Sequence, residues 1–154
     1  METKELNKRP GIEQHKKLSS TYAQFDTLLT ELKKRELPEE IVLFINEGID
    51  EVNSASDSEK ELSTQIKKTQ TSILKLVEKE LKLVPKNYYR NIWLALGMAA
   101  FGIPLGVAFG ISMGNMGLLG LGLPIGLAIG IAVGAGMDKK AFESGRQLNL
   151  EIKY

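Results

Sequence analysis

The longest apolar stretch of the chain lies in its second half. Between Arg90 and Asp138 there is no Asp, Glu, Lys, Arg or His. A bilayer core about 30 Å thick is crossed by roughly 20 apolar helical residues, and this stretch is about twice that long. Two membrane spans are therefore predicted, over residues 92–113 and 116–136. Gly114 and Asn115 between them tolerate positive φ, which predicts a tight turn and an antiparallel hairpin.

The first half of the chain has the apolar spacing of soluble helices. Within residues 12–37, apolar positions step by four or three residues: Leu18, Tyr22, Phe25, Leu29 and Leu32. This spacing is typical of one face of a helix and predicts a helix over residues 12–37. Pro38 suits a first helical turn, and the acidic residues that follow it suit the positive end of a helix dipole. A second helix is therefore predicted to begin there.

A third helix is predicted from a pair of capping residues. Ser56 and Glu59 have the spacing of a capping box, and the helix that they open is expected to end at Val84, before Pro85. The three helices are expected to form a compact bundle, or the first and third to act as coiled-coil strands between subunits. The heptads are too few to decide between these two arrangements.

Together these patterns predict an all-α protein with a cytoplasmic three-helix domain followed by an antiparallel two-helix transmembrane hairpin. The predicted segments are an N-terminal tail (1–10), a cytoplasmic helical domain (11–85), a membrane-interface linker (86–90), the hairpin (91–137) and a cytoplasmic tail (138–154). In the last segment Leu148, Leu150, Ile152 and Tyr154 alternate with polar residues. A strand that pairs with a partner would show this alternation, but a disordered end is the preferred interpretation.

Glycine recurs at every fourth position in both predicted spans. The two rows are Gly102, Gly106, Gly110 and Gly114, and Gly122, Gly126, Gly130 and Gly134. Helices in lipid associate through close van der Waals packing, which glycine permits, so these eight residues are predicted to pack helices together. A second row of small residues, which includes Ala108 and Ala128, lies on the opposite face of each span. It predicts a homo-oligomer, and contact with lipid is the alternative interpretation.

The two spans also match each other as a repeat. An offset of 20 residues superimposes both glycine rows and places Pro104 on Pro124. This match predicts duplication of one helix into an inverted pair, and low sequence complexity is the alternative explanation. Each proline removes one helical hydrogen bond, so a kink is predicted near the middle of each span.

Residues at the ends of the apolar stretch predict its orientation. The membrane-interface residues are expected to be Tyr88, Tyr89, Arg90, Trp93, Lys139 and Lys140. Basic residues concentrate on the cytoplasmic side of a membrane, and the turn between the spans has none, so both termini are predicted to be cytoplasmic. The charged N-terminal residues also lack the apolar run of a secretory signal. Constitutive insertion is expected, and the alternatives are a buried hairpin in a soluble protein and a segment that inserts only on a trigger.

The glycine rows resemble those of glycine-zipper two-span membrane proteins of bacteria. The resemblance covers residues 97–136, and the class includes pore formers and lipid-packing hairpins. It implies tight association of helices, without implying any one activity. The compact two-span design predicts a prokaryotic source, and the expected location is the bacterial inner membrane.

The remaining sequence gives little indication of chemistry. Basic and acidic residues balance over 1–90, which argues against a nucleic-acid partner. The chain has no cysteine, and its single histidine, His15, lies in a polar stretch. An acidic segment over 36–59 is interpreted as a solvated helix face, with a basic partner or a cation as the alternative ligand. No P-loop, nucleophile elbow or zinc motif is present. We therefore predict no catalytic, cofactor-binding or metal-binding residue.

Two functions fit these observations. The favoured one is a non-enzymatic membrane protein that oligomerises through its glycine-rich helices and recruits or senses a partner with its cytoplasmic domain. The alternative is a pore-forming or membrane-disrupting effector, of a toxin or defence type, gated by the cytoplasmic helices. The expected partners are the lipid bilayer, further copies of the chain and an unidentified cytoplasmic protein.

Overall fold

A computed structural model describes residues 2–56 and 58–153 of the chain. These residues are all-α in architecture and divide into two compact units. The first unit contains the residues up to Val84 together with those from Leu148 onward, and the second is Pro85–Gln147. The predicted contributions of Asp57 to the acidic segment and of Tyr154 to the tail lie outside the described residues.

Three α-helices form the first unit. Helix α1 is Lys16–Lys33, preceded by a 3₁₀ turn at Ile12–Gln14, α2 is Glu39–Ser54, and α3 is Glu59–Leu81. The third helix ends three residues before the predicted Val84, because Lys82 adopts a left-handed φ of 56°. The capping box does not form as predicted. Ser58 is the N-cap of α3, while the Ser56 hydroxyl donates to the Glu61 carboxylate.

The three helices enclose one apolar core. Its fully buried side chains include Phe25, Leu28 and Leu32 from α1, Ile45, Ile49 and Val52 from α2, and Leu62, Ile66, Ile73 and Val77 from α3. Such burial stabilises by about 1.5–3 kcal/mol for each large aliphatic or aromatic side chain. The structure therefore shows the compact bundle and not the coiled-coil arrangement.

The C-terminal segment belongs to this core, which corrects the expectation of a disordered end. Leu148, Leu150 and Ile152 are buried among the helices. The Leu148 N–H donates to the carbonyl of Val84 over 2.8 Å. The alternation seen in the sequence thus reflects an extended segment that inserts every second side chain into its own domain.

Two polar side chains of α1 hold the main chain of that segment. Glu31 accepts the Asn149 N–H over 2.9 Å, and Gln24 accepts the Lys153 N–H over 2.8 Å. Hydrogen bonds from Lys34 and from the Asn149 N–H lower the pKa of the Glu31 carboxyl below its usual value. These contacts therefore favour the ionised form of Glu31 although the side chain is buried.

The second unit is a helical hairpin. Its first arm runs through α4 (Tyr88–Gly97), a π-helical turn (Met98–Gly102) and α5 (Ile103–Ser112). The second arm runs through a 3₁₀ segment (Met116–Leu121) and α6 (Gly122–Glu143). Gly114 in the connecting turn has a φ of +62°. Both arms are longer than predicted, since the first begins at Tyr88 and the second continues to Glu143.

Candidate functional site: the apolar helical hairpin

Glycines bring the two arms of the hairpin into backbone contact. A methyl group built on Gly126 would lie 2.6 Å from the Gly102 Cα and 2.6 Å from the Gly97 carbonyl oxygen. One built on Gly134 would lie 2.5 Å from the Arg90 Cα. Because the obstructing atoms are backbone atoms, no side-chain movement relieves these clashes. Glycine is therefore required along this face.

The contact extends along most of both arms. The glycines buried in it are Gly97, Gly102, Gly106 and Gly110 on the first arm and Gly122, Gly126, Gly130 and Gly134 on the second. Seven of the eight predicted packing residues are thus placed between the arms of one hairpin. Gly114 is the exception, because it lies in the turn, where a methyl group would meet no atom within 4 Å.

Gly97 joins the contact through an irregularity that a four-residue spacing does not reveal. Gly97 and Gly102 are five residues apart, so a regular α-helix would place them on different faces. The π-helical turn Met98–Gly102 pairs residues five apart and returns both glycines to one face. A glycine five residues before a regular row, close to a proline, is the signal that would have identified it.

Both prolines lie where the helix type changes. Pro104 is in the first turn of α5, directly after the π-helical turn, and Pro124 is in the first turn of α6, after the 3₁₀ segment. Each proline lacks the N–H that would continue an α-helical ladder. The structure thus shows a change of helix type at each position where the sequence predicts a kink.

The outward faces of the hairpin are apolar and exposed. Ile103, Ile111 and Leu121 are each more than half exposed. The second row of small residues also faces outward, and methyl groups built on Gly120 or Gly136 would meet no atom within 4 Å. These faces are open for contact with lipid or with another helix.

A buried carboxylate joins the two arms at their open end. Asp138 on α6 accepts the backbone N–H groups of Tyr89 and Arg90, each over 3.0 Å. These donors lie in the first turn of α4, where a helix has unpaired N–H groups and a positive dipole end. The side chain therefore caps a helix other than its own. The sequence assigned Asp138 to the tail, although it is the first ionisable residue after the apolar stretch.

The predicted interface residues cluster at the same open end. The rings of Tyr88 and Tyr89 make an edge-to-face contact, with centroids 5.1 Å apart. Arg90, Lys139 and Lys140 are exposed, while Trp93 is half-buried. The arrangement surrounds the Asp138 cap with amphipathic and basic side chains.

No family model, curated protein or solved structure matches the chain. The assignment of a role therefore depends on the geometry. Two helices, Tyr88–Ser112 and Met116–Glu143, are long and apolar enough to cross a membrane. Among the residues that the structure describes, no group of three or more Asp, Glu or His side chains is placed to hold a metal ion.

Proposed function

We propose that the protein is a non-enzymatic membrane anchor of the bacterial inner membrane, in which a glycine-zipper hairpin carries a cytoplasmic partner-binding domain. The observation that carries this proposal is the hairpin's packing. Its two long arms meet through glycine backbone and leave large apolar side chains exposed. Such a surface is unfavourable in water and is suited to a bilayer, where exposed apolar side chains cost nothing.

The connection of the hairpin to the helical unit supports the proposed orientation. The chain leaves that unit after Val84 and returns at Leu148, and these two residues share a hydrogen bond. Both ends of the hairpin are therefore tied to one domain. A domain on one side of a membrane requires an even number of spans, which agrees with two crossings and two cytoplasmic ends.

The glycine contacts also refine the proposed oligomer. The primary glycine rows are occupied within one hairpin, so subunits would associate through the outward row that contains Ala108, Gly120 and Ala128. This row is exposed along its length. Small residues allow close approach of a neighbouring hairpin, as in other membrane helix pairs.

Reconstitution of the full-length protein in liposomes tests the proposal. We expect the protein to resist alkaline carbonate extraction while the liposomes retain a trapped dye. Gly126→Leu should weaken the hairpin because of its backbone clashes, whereas Gly136→Leu is the matched control on an open face. Dye leakage by the wild type, lost in Gly126→Leu, would favour the pore-forming alternative. Complete extraction by carbonate would contradict membrane anchorage.

A further inference from the structure

The residues that precede α1 lie as an extended strap on the first unit. We define the strap as residues 2–9. The Asn46 side chain on α2 accepts the Lys4 N–H over 2.7 Å and donates to the Glu2 carbonyl over 3.1 Å. Two turns further along α2, Asn53 accepts the Asn7 N–H over 2.9 Å and donates to the Glu5 carbonyl over 3.1 Å. The same paired contact is therefore made twice.

The spacing of the two asparagines matches an extended peptide. Seven residues of helix rise about 10.5 Å. Three residues of extended chain, the separation of Lys4 from Asn7, span about 10 Å. The two side chains thus follow the main chain of the strap in register. The two asparagines therefore bind main-chain N–H and C=O groups, which any extended peptide presents.

The strap is held mainly by polar contacts to its backbone and by two basic side chains. The Tyr22 hydroxyl on α1 donates to the Asn7 carbonyl, and Lys4 pairs with Asp50. Arg9 donates to the carbonyls at the end of α2, those of Val52, Asn53 and Ala55. Leu6 is the strap's partly buried apolar side chain against the core.

The surface beneath the strap contains a buried polar side chain that is paired by the strap. Asn46 is 5% exposed, and its amide is paired by the strap in an otherwise apolar stretch of α2. A buried amide without hydrogen-bond partners is costly, so a segment that replaces the strap must offer the same backbone groups. An open groove of about 760 Å³ adjoins the strap. Besides strap residues it is lined by apolar and charged side chains: Leu32, Leu37, Val42, Lys33, Arg35 and Glu36.

We propose that the strap is an intramolecular substitute for an extended basic peptide of a partner protein, which binds between α1 and α2. The proposal names the partner class for the recruitment role and in that respect rests on the proposed function. The partner segment presents a cation to Asp50, a large apolar side chain at the position of Leu6, and an arginine three residues further along. The acidic side chains of α2, among them Glu47 and Glu51, favour its positive charge.

Competition between strap and partner predicts an affinity that depends on strap release. Only molecules whose strap has left the surface can bind the peptide. The apparent affinity is therefore the intrinsic affinity multiplied by the fraction of such molecules. The probe is a fluorescent peptide with the sequence of residues 2–10, titrated against full-length protein in detergent micelles. Leu6→Ala/Arg9→Ala in the protein should tighten peptide binding by about tenfold or more relative to the wild type.

Two further variants identify the binding surface. Adding Asn46→Ala and Asn53→Ala to the released variant should weaken peptide binding by about tenfold or more, since four backbone hydrogen bonds are lost. Asn149→Ala, whose exposed side chain lies on the C-terminal segment, is the matched control and should leave binding unchanged. A peptide with Leu6→Asp should bind no variant tightly.

Hydrogen exchange on the wild type keeps the test independent of any variant's folding. The Lys4 and Asn7 amides should be protected, yet exchange faster than the core amides of α1 and α3. Exchange at the same rate as the core would overturn the proposal, as would equal peptide binding with and without Asn46 and Asn53. A wild-type dimer that Asn46→Ala/Asn53→Ala abolishes would also overturn it, by assigning the groove to a second copy. If carbonate extracts the protein completely but the protein binds the peptide as expected, the membrane anchor is refuted and the peptide-binding proposal is supported.

Discussion

Helices pack in opposite ways in the helical bundle and in the apolar hairpin. In the bundle, large side chains such as Phe25 and Ile66 are fully buried, and most charged side chains are exposed. In the hairpin, glycines are buried, and large apolar side chains such as Ile111 face outward. The first arrangement gains stability by removing apolar surface from water, and the second by close backbone contact. The comparison indicates which environment each unit is built for.

The largest effect is expected from a substitution that disrupts the glycine contact between the two arms of the hairpin. Gly126→Leu places a side chain against the Gly102 Cα and the Gly97 carbonyl, and neither backbone atom can move away without separating the arms. We expect the two arms to separate, so that the stability of the hairpin contact is lost entirely and not only reduced. Unfolding of the purified protein by SDS titration in mixed micelles measures it. Gly136→Leu should change stability little, and an equal loss in both variants would contradict the backbone contact.

The next-largest effect is expected in the bundle, from removal of a large buried side chain. Phe25→Ala removes a fully buried ring and should cost about 3–5 kcal/mol. Urea unfolding followed by circular dichroism gives the value. Phe101→Ala in the hairpin removes a ring that is 41% exposed and should cost far less. If the two costs are similar, the hairpin is buried as a soluble core would be.

A smaller effect concerns the polar contact that closes the hairpin. Asp138→Asn keeps the shape of the side chain but removes the charge that faces the first turn of α4. Loss of a charged cap at a helix N-terminus should cost about 1 kcal/mol. SDS titration in mixed micelles again measures the change, with Glu143→Gln as a control at an exposed position on the same helix. An unchanged transition for Asp138→Asn would show that the cap contributes no stability.

The smallest expected effect is a dependence of the stability of the bundle on pH. The pKa of Glu31 is lowered from 4.5 by Lys34 and the Asn149 N–H. Its contribution to stability is therefore fully present above 4.5 and is lost as the pH falls through the lower, folded-state value. Glu31→Gln should reduce urea stability near neutral pH and flatten the loss in acid. Glu36→Gln, at an exposed position, should change neither the stability near neutral pH nor its loss in acid. If Glu31→Gln loses stability in acid as the wild type does, the Glu31 carboxylate is not the source of the acid response.

The general architecture was predictable from the sequence because it depends on composition and spacing. The charge-free stretch, the turn at Gly114 and Asn115, and the apolar spacing from Leu18 to Leu32 each reflect one local rule. The precise ends were less predictable. Lys82 stops α3 by a left-handed conformation that no residue preference favours, and Asp138 extends α6 because its carboxylate has partners on α4.

The features missed from the sequence depend on contacts between distant residues. Gly97 belongs to the glycine contact only because of a π-helical turn. The alternation of Leu148, Leu150 and Ile152 is visible, but nothing local indicates that its partner is the chain's own core. Asn46 lies among the apolar residues of the buried face of α2, and Asn53 follows it two helical turns later, but nothing local indicates that both side chains bind the residues before α1.

The location of the turn at Asn115 tests the central claim most directly. Because the chain has no cysteine, single cysteines can be introduced at Asn115 and, in the bundle, at exposed Ser20. In intact bacterial cells an impermeant thiol reagent should label Asn115→Cys and leave Ser20→Cys unlabelled until the membrane is opened. This result places a two-span hairpin across the membrane with the bundle in the cytoplasm. Protection of both cysteines, or their recovery in the soluble fraction, would contradict the account.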